Sequence, residues 1–132
     1  MKERSKAGGV FKITCRDTAG QVKWEAESHN LVVNVGLQDM NTKYFSGSSY
    51  TAAWYLGLIT GPGPTSFDPT DTLGSNSWTE FTNYSGSRKL VSFGSATDAS
   101  PSVIASASAS SYSISGAGGV VAGAFLCTVS SG

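Results

Sequence analysis

Charged side chains are scarce in this chain. Asp, Glu, Lys and Arg make up 14% of its 132 residues, against about a quarter in an ordinary soluble domain. The nine basic and nine acidic groups cancel to zero net charge, which argues against a nucleic-acid binder, since such proteins carry a basic face. Long apolar runs are missing too: no stretch reaches the about 18 residues of a membrane-spanning helix, so no membrane partner is expected. Met1–Gly9 has the charge of a signal peptide, but no apolar segment follows, and it does not read as one. There is a single histidine, His29, and there are two cysteines, Cys15 and Cys127. Two cysteines without a His/Cys cluster do not compose a metal site. His29 beside Asn30, with no G-x-S-x-G elbow anywhere, supplies no Ser-His-Asp device. The residues therefore point to no enzyme, no cofactor and no metal.

Ser, Gly and Thr fill about a third of the chain, above average usage. Such a composition alone would read as a linker or a disordered tract. The three Trp, five Tyr and six Phe decide otherwise, because they supply enough apolar surface for a modest core. The length fits one domain. We therefore expect a basic, flexible arm over residues 1–8 and a single β domain over 9–132. Charge is unevenly spread: residues 1–44 hold seven basic and five acidic side chains, whereas the remainder holds only Asp68, Asp71, Glu80, Arg88, Lys89 and Asp98. Either Ser, Thr and Asn solvate that second part, or it is packed against neighbours and needs little charge for solubility.

Period-two alternation dominates. Phe11, Ile13 and Cys15 alternate with Lys12, Thr14 and Arg16, and Val22, Trp24 and Ala26 repeat the pattern after the turn residues Asp17-Thr18-Ala19-Gly20. This predicts a hairpin of Gly9–Asp17 and Gln21–Ser28. Asn30–Val35 reads as a third strand or a continuation. Leu37, Met40 and Tyr44 have the chain's only helical spacing, which predicts one short helix near residues 35–45, capped by Asn34 and closed by Gly47. Ala52–Thr60 is the clearest strand, with apolar residues on both faces, as in a central strand. Gly61-Pro62-Gly63-Pro64 ends it. Further strands are expected at Trp78–Tyr84, Arg88–Phe93, Val103–Ile114 and Val120–Val129; the third rests on the Ala/Ser alternation of Ala105–Ser111, which also fits a linker. Seven to eight strands and one short helix, with turns about every 8–12 residues, predict an all-β fold, an antiparallel β-sandwich or jelly-roll-like.

Other groups have simpler readings. Glu25 and Glu27 share a strand face with Lys23, which reads as a solvated face rather than a glycosidase pair. Asp68 and Asp71 bracket a Pro-Thr step, where helix capping accounts for Asp68 without calcium. Cys15 and Cys127 sit at inward positions; one disulfide between first and last strands stands beside two buried free thiols, and the second is favoured. Trp54, Tyr55, Trp78, Phe81 and Tyr84 could stack sugars, but all lie within expected strands, where core packing is the simpler role.

Several stretches together resemble a known family. They are Met1-Lys2-Glu3-Arg4, Gly9-Val10-Phe11, Arg16-Asp17, Gly20-Gln21-Val22-Lys23-Trp24, Asn30-Leu31-Val32-Val33-Asn34-Val35-Gly36-Leu37, Ser48–Leu58, Trp78-Thr79-Glu80 and Gly123-Ala124-Phe125-Leu126. In this order they are similar to small virion proteins encoded by tailed bacteriophages. In that family the pattern continues past the Phe-Leu strand into another Gly-rich hairpin and a last strand. The resemblance implies a structural, non-enzymatic protein made in the bacterial host cytoplasm and located in the virion. It implies first a capsid decoration (cement) protein that binds the major capsid protein and stabilises the head. A tail or head-fibre component comes next, and a carbohydrate-binding β-sandwich module is the alternative from a different class. Homo-oligomers are expected, since a neutral surface does little to prevent self-association. The expected interface residues are Lys2, Arg4 and Lys6 on the arm and Pro62, Pro64 and Phe67 in the long loop Gly61–Asp71.

Overall fold

A computed structural model describes residues 7–50, 53–64, 66–99, 102–115 and 118–131. The fold is mainly β, with antiparallel sheets and one short helix. By their contacts the residues group into two compact units: Met1–Tyr50 with Ser66–Asn76, and Thr51–Thr65 with Ser77–Gly132.

The first unit opens with the expected hairpin. Strands β1 (Val10–Arg16) and β2 (Val22–His29) pair antiparallel, Phe11 opposite Ser28, Ile13 opposite Ala26 and Cys15 opposite Trp24. The turn is built by Asp17, whose Oδ1 accepts from the amides of Ala19 and Gln21, each at 2.9 Å, while Gly20 supplies φ +81°. Beyond Cys15 the register slips by one, because Arg16 faces Val22 and leaves Lys23 as a bulge. Asn30 closes the open end: its amide donates to the Gly9 carbonyl, and its side chain accepts from the Gly9 amide.

Asn30–Val35 is not a strand. The chain is irregular up to Val33 and then enters helix α1 (Asn34–Phe45). Asn34 is the first helical residue rather than the cap; Val33 occupies the cap position and makes no side-chain bond there. The Val33 carbonyl takes the first intrahelical bond, from the Leu37 amide at 3.1 Å, and the Pro69 carbonyl accepts from the Asn34 amide at 2.7 Å, satisfying one of the helix's unpaired N-terminal donors. The far end behaves as expected, with the Ser46 amide on the Thr42 carbonyl and Gly47 at φ +66°.

The second unit is organised around β3 (Trp54–Thr60). Its partners are β4 (Glu80–Phe81), β5 (Lys89–Val91) and β6 (Val121–Cys127), all antiparallel. A strand has two edges. Strand β6 covers Tyr55 to Thr60 on one, so β4 and β5 share the other. Leu58 faces Phe81 and Leu56 faces Lys89: two steps along β3 correspond to eight along its partner. β4 and β5 are thus one strand interrupted by six extruded residues, in place of the two longer strands expected at Trp78–Tyr84 and Arg88–Phe93. The expected Val103–Ile114 strand is reduced to isolated bridges, Ser106 with Phe93 and Ile114 with Tyr84. Its Ala and Ser side chains remain exposed over residues 102–109, so burial adds nothing to hold a continuous ladder. Six strands stand among the described residues where seven to eight were expected.

Alternation sorts the second unit's core into two faces. One holds Tyr55, Gly57, Ile59, Glu80, Phe125 and Cys127; the other holds Leu56, Leu58, Phe81, Lys89 and Leu126. Ile59 and Phe81, at 1% and 2% exposure, sit on opposite faces, so β3 is buried from both sides as a central strand. Gly57 faces Phe125 across the ladder, and the aromatic ring lies over the glycine: a Cβ there would come within 2.3 Å of the ring. Gly57→Ala must therefore displace Phe125. We expect a loss of about 1–3 kcal/mol, the usual range for overpacking, measured as a lowered denaturant midpoint. A smaller additional loss is expected when the alanine is introduced beside Phe125→Leu, since the two changes touch one contact.

Candidate interaction surface

Among the described residues, the buried charged group is Arg88. Its residue is 7% exposed, yet it is fully partnered. Nε and Nη2 bind the two Glu80 oxygens at 2.8 and 2.6 Å, a bidentate fork. Nη1 donates to the Val129 carbonyl at 3.1 Å and reaches Cys127 Sγ at 3.8 Å. The guanidinium carbon lies 5.2 Å from the centre of the Phe125 ring, which packs on Trp78 at 4.7 Å. The hydrogen bonds to Glu80 raise the Arg88 pKa above its ordinary value, keeping it charged at any working pH. This cluster ties β4, β5, β6 and the segment after β6 together. Its donors point at protein acceptors, which makes it structural.

A second cluster lies on the opposite face. The Tyr84 and Tyr112 rings meet edge to face at 4.9 Å, and Tyr84 also stacks near Phe81 at 6.4 Å. Lys89 Nζ sits 5.7 and 5.8 Å from the two tyrosine rings and donates to the Ser85 carbonyl at 2.9 Å. The Tyr112 hydroxyl donates to the Leu56 carbonyl of β3. Burial pushes the Tyr112 pKa well above its ordinary value of 10.0, and burial likewise raises Tyr84.

The expected interface residues fall in different places. Lys2, Arg4 and Lys6 lie outside the described residues. Pro62 and Pro64 belong to the second unit and Phe67 to the first, so the loop Gly61–Asp71 crosses from one unit to the other. Pro62 is exposed, Pro64 half-buried, and Phe67 45% exposed. Gly61 donates to the Val120 carbonyl at 2.7 Å, anchoring the loop's start to the residue before β6. Its later part is a tight turn: Asp68 Oδ1 accepts from the Thr70 amide and hydroxyl, while the Asp68 amide donates to Asp71. The two Thr70 hydrogen bonds hold the Asp68 carboxyl below its ordinary value. These aspartates shape a turn, and they do not cap a helix as the sequence reading had it.

Other candidates resolve in the same way. Glu27 pairs with Lys12 at 3.3 Å and Glu25 accepts from Thr14 at 3.1 Å on an exposed hairpin face. His29 ends β2, exposed, opposite Val10. Cys15 is half-buried and Cys127 buried, both as free thiols. Of the five aromatics weighed as a sugar platform, Phe81 and Tyr84 are buried, and Trp54, Tyr55 and Trp78 are half-buried.

The sequence reading missed two features. One is the Arg88–Glu80 pair; its signal is that Glu80 shares strand parity with Trp78, an inward position, in a stretch nearly free of charge. The other is the open surface of the first unit, among whose described residues none is buried. Trp24 is 45%, Tyr44 83% and Phe45 62% exposed, and Tyr44 and Phe45 form an edge-to-face pair at 5.1 Å. Leu37, Met40 and Tyr44, the helical stripe of the sequence, form no covered face.

Compared with family models, curated proteins and solved structures, the chain gives no match.

Removing Arg88 tests the structural role of its cluster. Arg88→Met leaves the Glu80 carboxylate without its counter-ion, and we expect a loss of about 3 kcal/mol, the low end for a broken buried pair, because the Glu80 side chain keeps 22% of its exposure. Replacing both partners with Met and Leu is expected to restore most of that loss, as measured by chemical denaturation. Alkaline titration tests the tyrosine cluster. Above pH 10 the unfolded chain gives up its tyrosine protons before the folded one does, so the unfolded state binds fewer protons and stability falls as pH rises. Tyr112→Phe lowers stability at neutral pH, through the lost bond to Leu56, and flattens the fall above pH 10 in urea melts.

Proposed function

We propose that the chain is a non-enzymatic structural protein of a bacteriophage virion. In this reading it is a β-sandwich or jelly-roll-like capsid decoration protein that binds the outside of the head and stabilises it. The observation that carries the reading is the first unit's open apolar surface. A two-stranded hairpin and a twelve-residue helix are marginal on their own. Here they hold Trp24, Tyr44 and Phe45 at the surface, and none of the unit's described residues is buried. Large apolar side chains held at the surface are candidates for an interaction site. The low charge and the family resemblance point the same way.

The mechanism is physical. A decoration protein lies across seams between major capsid subunits and adds interface area. Because it binds only the assembled, expanded lattice, it stabilises that state by mass action. The arm at Lys2, Arg4 and Lys6 reaches a neighbouring subunit, and the loop carrying Pro62, Pro64 and Phe67 makes a second contact.

The test mixes full-length protein with purified heads stripped of it, before and after expansion, and counts bound copies by quantitative mass spectrometry. We expect saturation in proportion to the number of capsid subunits, on expanded heads only, and a higher melting temperature of the loaded heads. Tyr44→Ser with Phe45→Ser should weaken binding by about tenfold or more, as loss of an aromatic anchor does. Occupancy of one vertex would instead assign a tail or head-fibre role. Glycan binding that quenches tryptophan fluorescence would assign a carbohydrate-binding module.

A further inference from the structure

The first unit's sheet consists of β1 and β2 alone, each bonded to the other along one edge. Among the described residues, no backbone bond from Val10–Arg16 or Val22–His29 reaches a third segment. A two-stranded sheet is marginal in water, and both outer edges of this one are free. Its faces are sorted. On β1, Lys12, Thr14 and Arg16 are exposed on one face, while Phe11, Ile13 and Cys15 are half-buried on the other. On β2, Glu25 and Glu27 share the face of Lys12 and Thr14, and Trp24 and Ala26 share the face of Ile13 and Cys15. Every residue of β2 is exposed.

The two strands are opposite in charge. β1 carries Lys12 and Arg16 and no acidic residue; β2 carries Glu25 and Glu27, with Lys23 set out of register at the bulge. The ladder inside the chain shows what each strand accepts as a neighbour. Lys12 pairs with Glu27 at 3.3 Å, Thr14 donates to Glu25 at 3.1 Å, Ile13 faces Ala26 and Cys15 faces Trp24. A strand lines both of its edges with the same side chains. The free edge of β1 therefore fits what β2 offers, and the free edge of β2 fits what β1 offers. Some of that demand is unmet within the hairpin. Arg16 faces Val22 and donates to the Gly20 carbonyl, with no carboxylate paired to it among the described residues, and Trp24 is 45% exposed.

We infer that copies of this chain associate head to tail, β1 of one pairing antiparallel with β2 of the next, so that successive hairpins form one sheet. Any register that keeps the two faces apart and lies within two residues of the ladder inside the chain sets Lys12 or Arg16 opposite Glu25 or Glu27 of the neighbour. On the other face it brings the apolar stripe of β1 alongside Trp24 and Ala26. Charge on an edge strand ordinarily deters pairing. Here it selects the partner: β1 against β1 sets basic residues together, β2 against β2 sets acidic residues together, and β1 against β2 matches. The contact joins two different surfaces, so it closes into a ring or runs on as a filament. It concerns copies of this chain and does not rest on the capsid reading.

Sedimentation velocity on the full chain over a concentration series reads the association directly. We expect oligomers of the unaltered protein, weakened as salt is raised. Two double variants test the charge matching. Lys12→Glu with Arg16→Glu makes both edges acidic; Glu25→Lys with Glu27→Lys makes both basic. Each alone should associate about tenfold or more weakly than the unaltered protein, and an equimolar mixture of the two should associate again, because every edge then finds its opposite. Circular dichroism checks that both variants keep their fold. Amide hydrogen exchange on the unaltered protein needs no variant: alternate amides of β1 and β2 should exchange more slowly as concentration rises. A chain that stays monomeric throughout the series, association indifferent to both reversals, folded variants whose mixture stays as dissociated as each alone, or concentration-dependent protection that spares β1 and β2 would each overturn the inference.

Discussion

The second unit depends on one aromatic ring having a place to lie. Phe125 rests over Gly57, with Trp78 packed against it and the Arg88 guanidinium beside it. Only a residue without a Cβ leaves that space. Once the ring is seated, Arg88 is shut away from water and must be satisfied by Glu80, Val129 and Cys127. The charged pair adds orientation more than raw stability, since buried pairs rarely outperform apolar packing of the same volume. Its fork fixes β4 to the start of β5 across the interruption, and so sets the register of both against β3.

The first unit follows a different logic. Its local order comes from chemistry close in sequence: the Asp17 turn, the Asn30 clasp, the Asp68 turn and the Pro69 carbonyl on the helix start. None of these buries much apolar surface. Charge is concentrated in the same residues, so the part of the chain that keeps the most polar surface also presents Trp24, Tyr44 and Phe45 to solvent. A unit built from turns and clasps is specified without being strongly stabilised.

Much of the fold was legible in the residues. The hairpin, the helix over 34–45 and the central strand ending at Gly61 follow from period and turn chemistry. The misreadings have physical causes. Asn34 looked like a cap because its type favours that position, but the helix starts one residue earlier, with the Val33 carbonyl taking the first intrahelical bond and the Asn34 amide held by Pro69. Ala105–Ser111 alternates like a strand, yet alternation of small side chains carries no burial energy, and without that the period has nothing to enforce it. The six extruded residues between β4 and β5 were invisible, because Tyr84 continues the apolar pattern of the strand while its backbone has left the ladder. The Glu80–Arg88 pair was not read from the sequence, since parity alone does not show that a carboxylate and a guanidinium eight residues apart will face each other.

The interrupted strand has a consequence for how this sequence can change. Glu80 is registered against Ile59 and Lys89 against Leu56 by separate sets of ladder bonds, and Arg88 and Glu80 lock the two halves to each other. The extruded residues between them are not needed to measure out the register. Tyr84 must stay, because it is buried, but Gly86 and Ser87 are exposed at the far side of the excursion. Additional residues can enter there without shifting a single cross-strand pair. The sheet thus carries a built-in point of length variation in its middle, where an ordinary strand would tolerate none, and the protein can acquire a new protruding loop while its core remains the same.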